Sequence, residues 1–200
     1  MGRTSDARER LISTANNLFR DRGFEAVSVA QLCEAAAVNK GSFYYFFRSK
    51  TDLLLEVIDG AWDETGMLTL WETNLPPHPI DQLRKYLQEL FAYHYADRES
   101  AGHVRGSLFG NLALELSRRD PLIAGKLDAL LRREVDIFTK LLAKAINVGE
   151  TTLDSPGQTA QTMVACLHGL LILAKAGDDL DILPNSEAEL LRLAGVVHLH

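Results

Sequence analysis

Three observations predict an all-α chain built in two parts. Apolar residues recur at three- and four-residue spacing through nearly every long stretch, and no stretch alternates apolar with polar residues as a half-buried strand would. The breaks between these stretches are Gly, Asn or Pro clusters, with Asn74-Leu75-Pro76-Pro77-His78-Pro79 the clearest. Charge divides along the chain as well. Residues 1–50 carry 8 Lys or Arg against 5 Asp or Glu, whereas the rest carries 13 against 22. A basic end on an acidic body lets one part meet a polyanion while the remainder repels it.

Residues 4–22 read as the first helix, with Leu11, Ala15, Leu18 and Phe19 on its inner face and Gly23 as its stop. Arg3, Arg8 and Arg10 near its start could reach backbone phosphates. From Ser28 to Leu53 two short helical patterns are separated by a tight turn. Ser28 is placed as N-cap of the first, where Val29, Leu32, Cys33 and Ala36 keep helical spacing. Ala37-Val38-Asn39 makes the corner, and the second helix starts near Asn39 with Phe43, Phe46 and Phe47 on its apolar side. The other side offers Asn39, Lys40, Gly41, Ser42, Tyr44 and Tyr45, with no carboxylate among them. Hydroxyls, amides and Lys can donate to phosphates and base edges, so this is the surface a duplex-facing helix needs. The aromatic run by itself would also suit the core helix of a small bundle. Gly41 lowers helix propensity and predicts a close approach to the backbone.

Leu18-Phe19, Gly23-Phe24, Val27-Ser28-Val29, Ala35 to Val38, Lys40 to Tyr45, Phe47 and Lys50 to Leu53 form an ordered set. With it, the first quarter of the chain resembles the DNA-binding domain of TetR-family transcriptional repressors. Phe46 departs from the pattern, since the family often carries there a His that can reach a phosphate. The resemblance implies a helix-turn-helix DNA-binding domain over residues 1–48 and a helical ligand-binding and dimerisation domain over 49–200. It also implies contacts to double-stranded operator DNA from Ser28, Asn39, Lys40, Gly41, Ser42, Tyr44, Tyr45 and Lys50.

Ser49 and Asp52 make a loose capping box for a helix expected to run towards Leu70 or Trp71. Lys50 lies in its first turn, where free N–H groups already favour an anion. Beyond the Pro cluster, residues 80–96 are predicted helical, 98–102 a polar loop, and 106–116 an apolar helix. Asp120-Pro121 then opens a helix over 122–147. The helix over 157–176 is apolar on both sides, with Ala160, Met163, Val164 and Leu167 opposite Ala165, Cys166, Gly169 and Leu173. Such a helix is covered all round, by a partner subunit or by the centre of a monomer core. A short helix over 188–197 ends the chain.

Other chemistry finds little support. His78, His94, His103, His168, His198 and His200 make no metal-ligand spacing, and no nucleophile elbow, phosphate loop or dinucleotide fingerprint is present. Glu115 and Asp120 read as a solvated helix end. No enzyme activity and no cofactor are expected. The two cysteines, Cys33 and Cys166, are expected to be buried free thiols. No signal peptide is recognisable, and the apolar run from Met163 to Ala174 is too short to span a bilayer. A soluble, cytoplasmic protein with no membrane partner is therefore expected.

Trp62, Met67, Trp71, Phe91, Tyr95, Phe109, Asn111 and His168 would suit an apolar ligand pocket with a few polar groups, although each aromatic would equally serve as ordinary core. The resemblance implies an inducer cavity in the helical body and a homodimer formed by the last two long helices. Phe138, Leu141, Leu142, Ala165, Gly169 and Leu173 are the expected dimer residues. The stretch Arg105 to Leu116 is similar to a motif of some members in which the position of Ser107 is a Cys. A serine removes electrophile sensing there, which favours reversible binding of a small-molecule inducer.

Overall fold

The computed structural model describes residues 2–64 and 75–196. Ten helices occur among them: α1 (Gly2–Arg22), α2 (Val29–Ala35), α3 (Lys40–Phe46), α4 (Lys50–Glu64), α5 (Pro79–Ala101), α6 (Leu108–Leu116), α7 (Pro121–Asn147), α8 (Pro156–Gly177), α9 (Ile182–Asn185) and α10 (Glu187–Leu193). The all-α expectation holds. The chain divides into two compact units, Met1–Glu64 with Leu108–Leu127, and Thr65–Ser107 with Asp128–His200.

In the first unit α1 packs along α4 and against α2 and α3, and α6 packs against α1 and α4. The inner faces meet in a core of Leu11, Ala15, Phe19, Leu32, Phe43, Leu53, Leu54 and Ile58, all buried. Each Leu, Ile or Phe buried this way contributes roughly 1.5–3 kcal/mol. Phe19 and Phe24 meet edge to face with centroids 5.2 Å apart, which fixes the chain as it leaves α1. Gly23 stands at φ +84° and ends α1, as its place in the sequence predicts.

In the second unit α8 packs against α9 and α10, and α5 against the same two. Leu83, Leu87, Phe138, Leu142, Ala160, Met163, Leu167, Leu171 and Leu183 are buried there. Tyr86 and Glu134, both buried, and the half-buried His168 form a hydrogen-bonded chain between α5, α7 and α8. The Tyr86 hydroxyl donates to Glu134 Oε1 at 3.1 Å, and His168 Nε2 lies 3.0 Å from Glu134 Oε2. Arg105 and Asp97 form a buried ion pair.

Several boundaries correct the sequence expectations. The polar loop expected over 98–102 is helix, because α5 continues to Ala101 and stops at Gly102, whose N–H bonds Arg98 O at 2.8 Å. Polar residues on a solvent-facing helix turn and in a loop look alike in sequence. The helix expected over 106–116 starts at Leu108, and a four-residue helix, α9, precedes the last short helix. Of the helix expected towards Leu70 or Trp71, residues 65–74 lie outside the described residues. Cys33 is buried but Cys166 is exposed, so the pair is not uniformly buried. By length and composition α8 is also long and apolar enough to cross a bilayer. The run from Met163 to Ala174 is part of a longer one, since no Asp, Glu, Lys or Arg occurs between Asp154 and Lys175.

Candidate nucleic-acid interface

Two capping devices shape the helix-turn-helix. Ser28 Oγ accepts from Gln31 N at 3.2 Å, and the Gln31 side chain accepts from Ser28 N at 2.9 Å, a full capping box for α2. Asn39 Oδ1 accepts from Ser42 N at 2.7 Å and starts α3. Between them Ala37 adopts φ +52°, the left-handed corner that redirects the chain. Gly41 has a local reason to be small. A Cβ there would lie 3.1 Å from Asn39 Oδ1, so the close approach inferred from sequence is made by the α3 cap itself.

α3 then divides cleanly. Phe43 and Phe47 are buried, Phe46 is half-buried, and Tyr44 and Tyr45 are 58% and 77% exposed. Lys40 and Gly41 are exposed beside them, and the first turn holds no acidic residue. Phe43 packs edge to face on Tyr44 at 5.2 Å, and Tyr45 on Phe46 at 5.0 Å. The buried rings therefore brace the exposed phenols. Burial pushes the Cys33 thiol up, with Lys40 offsetting part of the effect, so this cysteine stays protonated at neutral pH.

The Lys50 ammonium donates to Phe24 O at 2.7 Å and Val27 O at 2.8 Å. Two of its three donors thus serve the turn between α1 and α2. Burial lowers its pKa, opposed by the carboxylates of Glu25 and Glu115. Ser49 Oγ caps α4 by accepting from Asp52 N at 3.0 Å, and Asp52 Oδ2 accepts from Arg48 N at 3.1 Å. Two of the α1 arginines are also held internally. Arg8 pairs with Glu56 at 2.9 Å, and Arg10 pairs with Asp6 and donates from Nε to Ala36 O at 3.1 Å. The side chain of Arg3 lies outside those described.

Sequence reasoning missed Glu115. Read as a solvated helix end, its carboxylate instead accepts from Phe24 N at 2.9 Å and Glu25 N at 2.8 Å. Partners 91 and 90 residues apart leave no local signal in the chain.

The expected ligand residues are divided between the two units. Trp62, Phe109 and Asn111 belong to the first unit, with Trp62 and Phe109 rings 5.9 Å apart. Phe91, Tyr95 and His168 belong to the second. There Tyr95 donates to Asp181 Oδ1 at 3.1 Å, and His168 is engaged with Glu134. Met67 and Trp71 lie outside the described residues.

The expected dimer residues split into two groups. Phe138, Leu141 and Leu142 are buried within the single chain, so they belong to its own core and offer no surface to a partner. Apolar spacing on a helix does not distinguish the two uses. Ala165 is exposed, Gly169 half-exposed and Leu173 59% exposed. Gly169 and Leu173 line an apolar groove of about 550 Å³ with Cys166, Ile172, Leu190 and Leu193.

A capped helix-turn-helix whose second helix presents Lys and phenols from a braced aromatic core defines a helix-turn-helix DNA-binding protein. Residues 11–57 match the family model described as bacterial regulatory proteins, tetR family. The transcriptional regulator AcuR of Cereibacter sphaeroides is 31% identical over 180 residues, covering 84% of this chain and 76% of that protein. The transcriptional repressor NemR of Escherichia coli K12 is 28% identical over 193 residues, covering 92% of this chain and 91% of its own. The crystal structure of reduced E. coli NemR superposes with a TM-score of 0.79 at 24% identity, over 97% of this chain and all of that one. The chain belongs to the TetR family of transcriptional regulators, and it is a DNA-binding protein.

Proposed function

We propose that the protein is a homodimeric transcriptional repressor that binds a pseudo-palindromic operator and is released by a small apolar inducer. The observation that carries the reading is the division of α3 into a buried Phe43/Phe47 side and an exposed Lys40/Tyr44/Tyr45 side. In this reading each subunit lays α3 in a major groove, the two grooves lying about one helical turn, roughly 34 Å, or somewhat more apart. Lys40 meets a base edge, while Tyr44 and Tyr45 hold phosphates. Asn39, Gly41, Ser42 and Ser28 set the caps and the close backbone approach that put those groups in reach. Repression is supported by the similarity to NemR, which is itself a repressor.

Dimerisation is supported by the open apolar face of α8, where Ile172 and Leu173 are 46% and 59% exposed. Surface of that kind, continued onto Leu193, is what a second copy would cover. The inducer is small and apolar, neutral or cationic, because the acidic body disfavours an anion. Its effect requires better binding to the state that does not fit DNA, and operator must weaken inducer binding by the same factor. Chromosomal DNA places the protein's work in the bacterial cytoplasm.

The test is binding of the full chain to its own upstream DNA across a salt series. Sequence-selective binding whose affinity falls steeply with salt supports the reading, whereas a flat response to salt and sequence overturns it. A screen of small apolar compounds for tryptophan quenching, followed by operator release, tests the inducer. Compounds that quench and leave operator affinity untouched would sink that half.

A further inference from the structure

The turn between α1 and α2 is held from two sides. Glu115, on α6, accepts the N–H groups of Phe24 and Glu25 at 2.9 and 2.8 Å. Lys50, at the start of α4, donates to the carbonyls of Phe24 and Val27 at 2.7 and 2.8 Å. Gly23 makes room for the first grip, since a Cβ there would lie 3.0 Å and 3.1 Å from the two Glu115 oxygens. Immediately after the turn comes Ser28, the cap of α2, and α2 carries α3.

We propose that Glu115 is a positioning residue for DNA recognition: by chelating two consecutive backbone N–H groups it sets the angle at which α2 and α3 leave α1. Neither N–H can find its partner inside a helix, because Phe24 and Glu25 fall between α1 and α2. A carboxylate with two acceptor oxygens matches two adjacent donors, and it fixes orientation as well as distance. Lys50 on the opposite side neutralises the carboxylate that the grip brings in. Both anchors come from helices outside the helix-turn-helix, so a displacement of α6 or α4 within this unit passes directly to the turn. The inference rests on the reading that α3 enters the groove, and it needs neither an inducer nor a dimer.

The test uses full-length Glu115→Gln and Glu115→Ala. The probes are a duplex recovered by the wild-type chain from a random-sequence pool and a scrambled duplex of the same length, at one salt concentration. Loss of a carboxylate from the DNA-binding unit tends to strengthen scrambled-duplex binding. A positioning role instead predicts a tenfold or greater loss on the selected duplex, with scrambled-duplex affinity unchanged or slightly raised. Gln, which keeps one acceptor, falls between Ala and wild type. Amide exchange at Phe24 and Glu25 quickens while the α2 and α3 amides keep their protection. Selected-duplex affinity within twofold of wild type in both variants overturns the proposal, as does an equal loss on both duplexes. If Ala does not fold, Gln decides by the same two readings. A wild-type chain that recovers no duplex from the pool counts against α3 as the reading helix, before any variant is made.

Discussion

The ammonium of Lys50 lies 4.0 Å above the ring of Phe24 and 2.7 Å from the carbonyl oxygen of the same residue. One side chain therefore supplies a cation–π contact and a charge-assisted hydrogen bond to a single partner. A cation in the first turn of a helix is poorly placed with respect to the helix dipole. Here the turn before α2 provides the compensation.

Lys50→Met keeps the aliphatic stem and removes the donors. It is expected to lower unfolding stability by about 1–3 kcal/mol, because the Phe24 and Val27 carbonyls lose a donor. Urea denaturation measures this in the absence of DNA. A variant of unchanged stability that loses DNA affinity in proportion at every sequence would return Lys50 to a phosphate.

Lys40 and Tyr45 should separate by specificity. Lys40→Ala is expected to cost on the order of 1–3 kcal/mol on the preferred duplex and to relax the preference at one position. Tyr45→Phe removes only a hydroxyl from a 77% exposed ring and should weaken all sequences about equally. Binding to a panel of single-substituted duplexes checks both. Identical profiles for the two variants would refute the division of labour.

Gly169→Glu tests the α8 face. No neighbouring atom lies within 4 Å of a Cβ at this position, so the single chain accommodates the substitution. The expected outcome is a monomer in sedimentation, with helix content retained and operator binding weakened. Leu142→Ala, by contrast, empties a fully buried site and should cost about 2–5 kcal/mol of stability without a selective effect on association. A Gly169 variant that stays dimeric moves the interface elsewhere.

Alkaline pH should act through Tyr86. Burial first, then the charge and hydrogen bond of Glu134, hold its phenol well above the usual value of 10.0. A pKa raised in the folded state means that the contribution is complete below pH 10. Above it the unfolded chain releases this proton first, so stability falls with pH, by at most about 1.4 kcal/mol per pH unit from one group. Tyr86→Phe should flatten that decline, while lowering stability near neutrality by about 1–3 kcal/mol as Glu134 loses a donor. Equal alkaline slopes for wild type and variant, in thermal melts from pH 8 to 11, would refute this.

What could be read from sequence alone was local. The helical periods, the caps at Ser28, Asn39 and Ser49, the Gly23 stop and the split of α3 depend on residues within one or two turns of each other, and such signals survive in a linear chain. The family followed from the same local set. Tertiary structure decided the rest, because it depends on partners far apart in sequence. Nothing near Lys50 in sequence marks its bonds to the Phe24 and Val27 carbonyls, and nothing near Glu115 marks the N–H groups of Phe24 and Glu25 that it accepts. Phe138, Leu141 and Leu142 have the spacing of an interface and the burial of a core. Apolar residues are drawn out of water with the same free energy by either kind of surface, so only the packed chain reveals which one each meets.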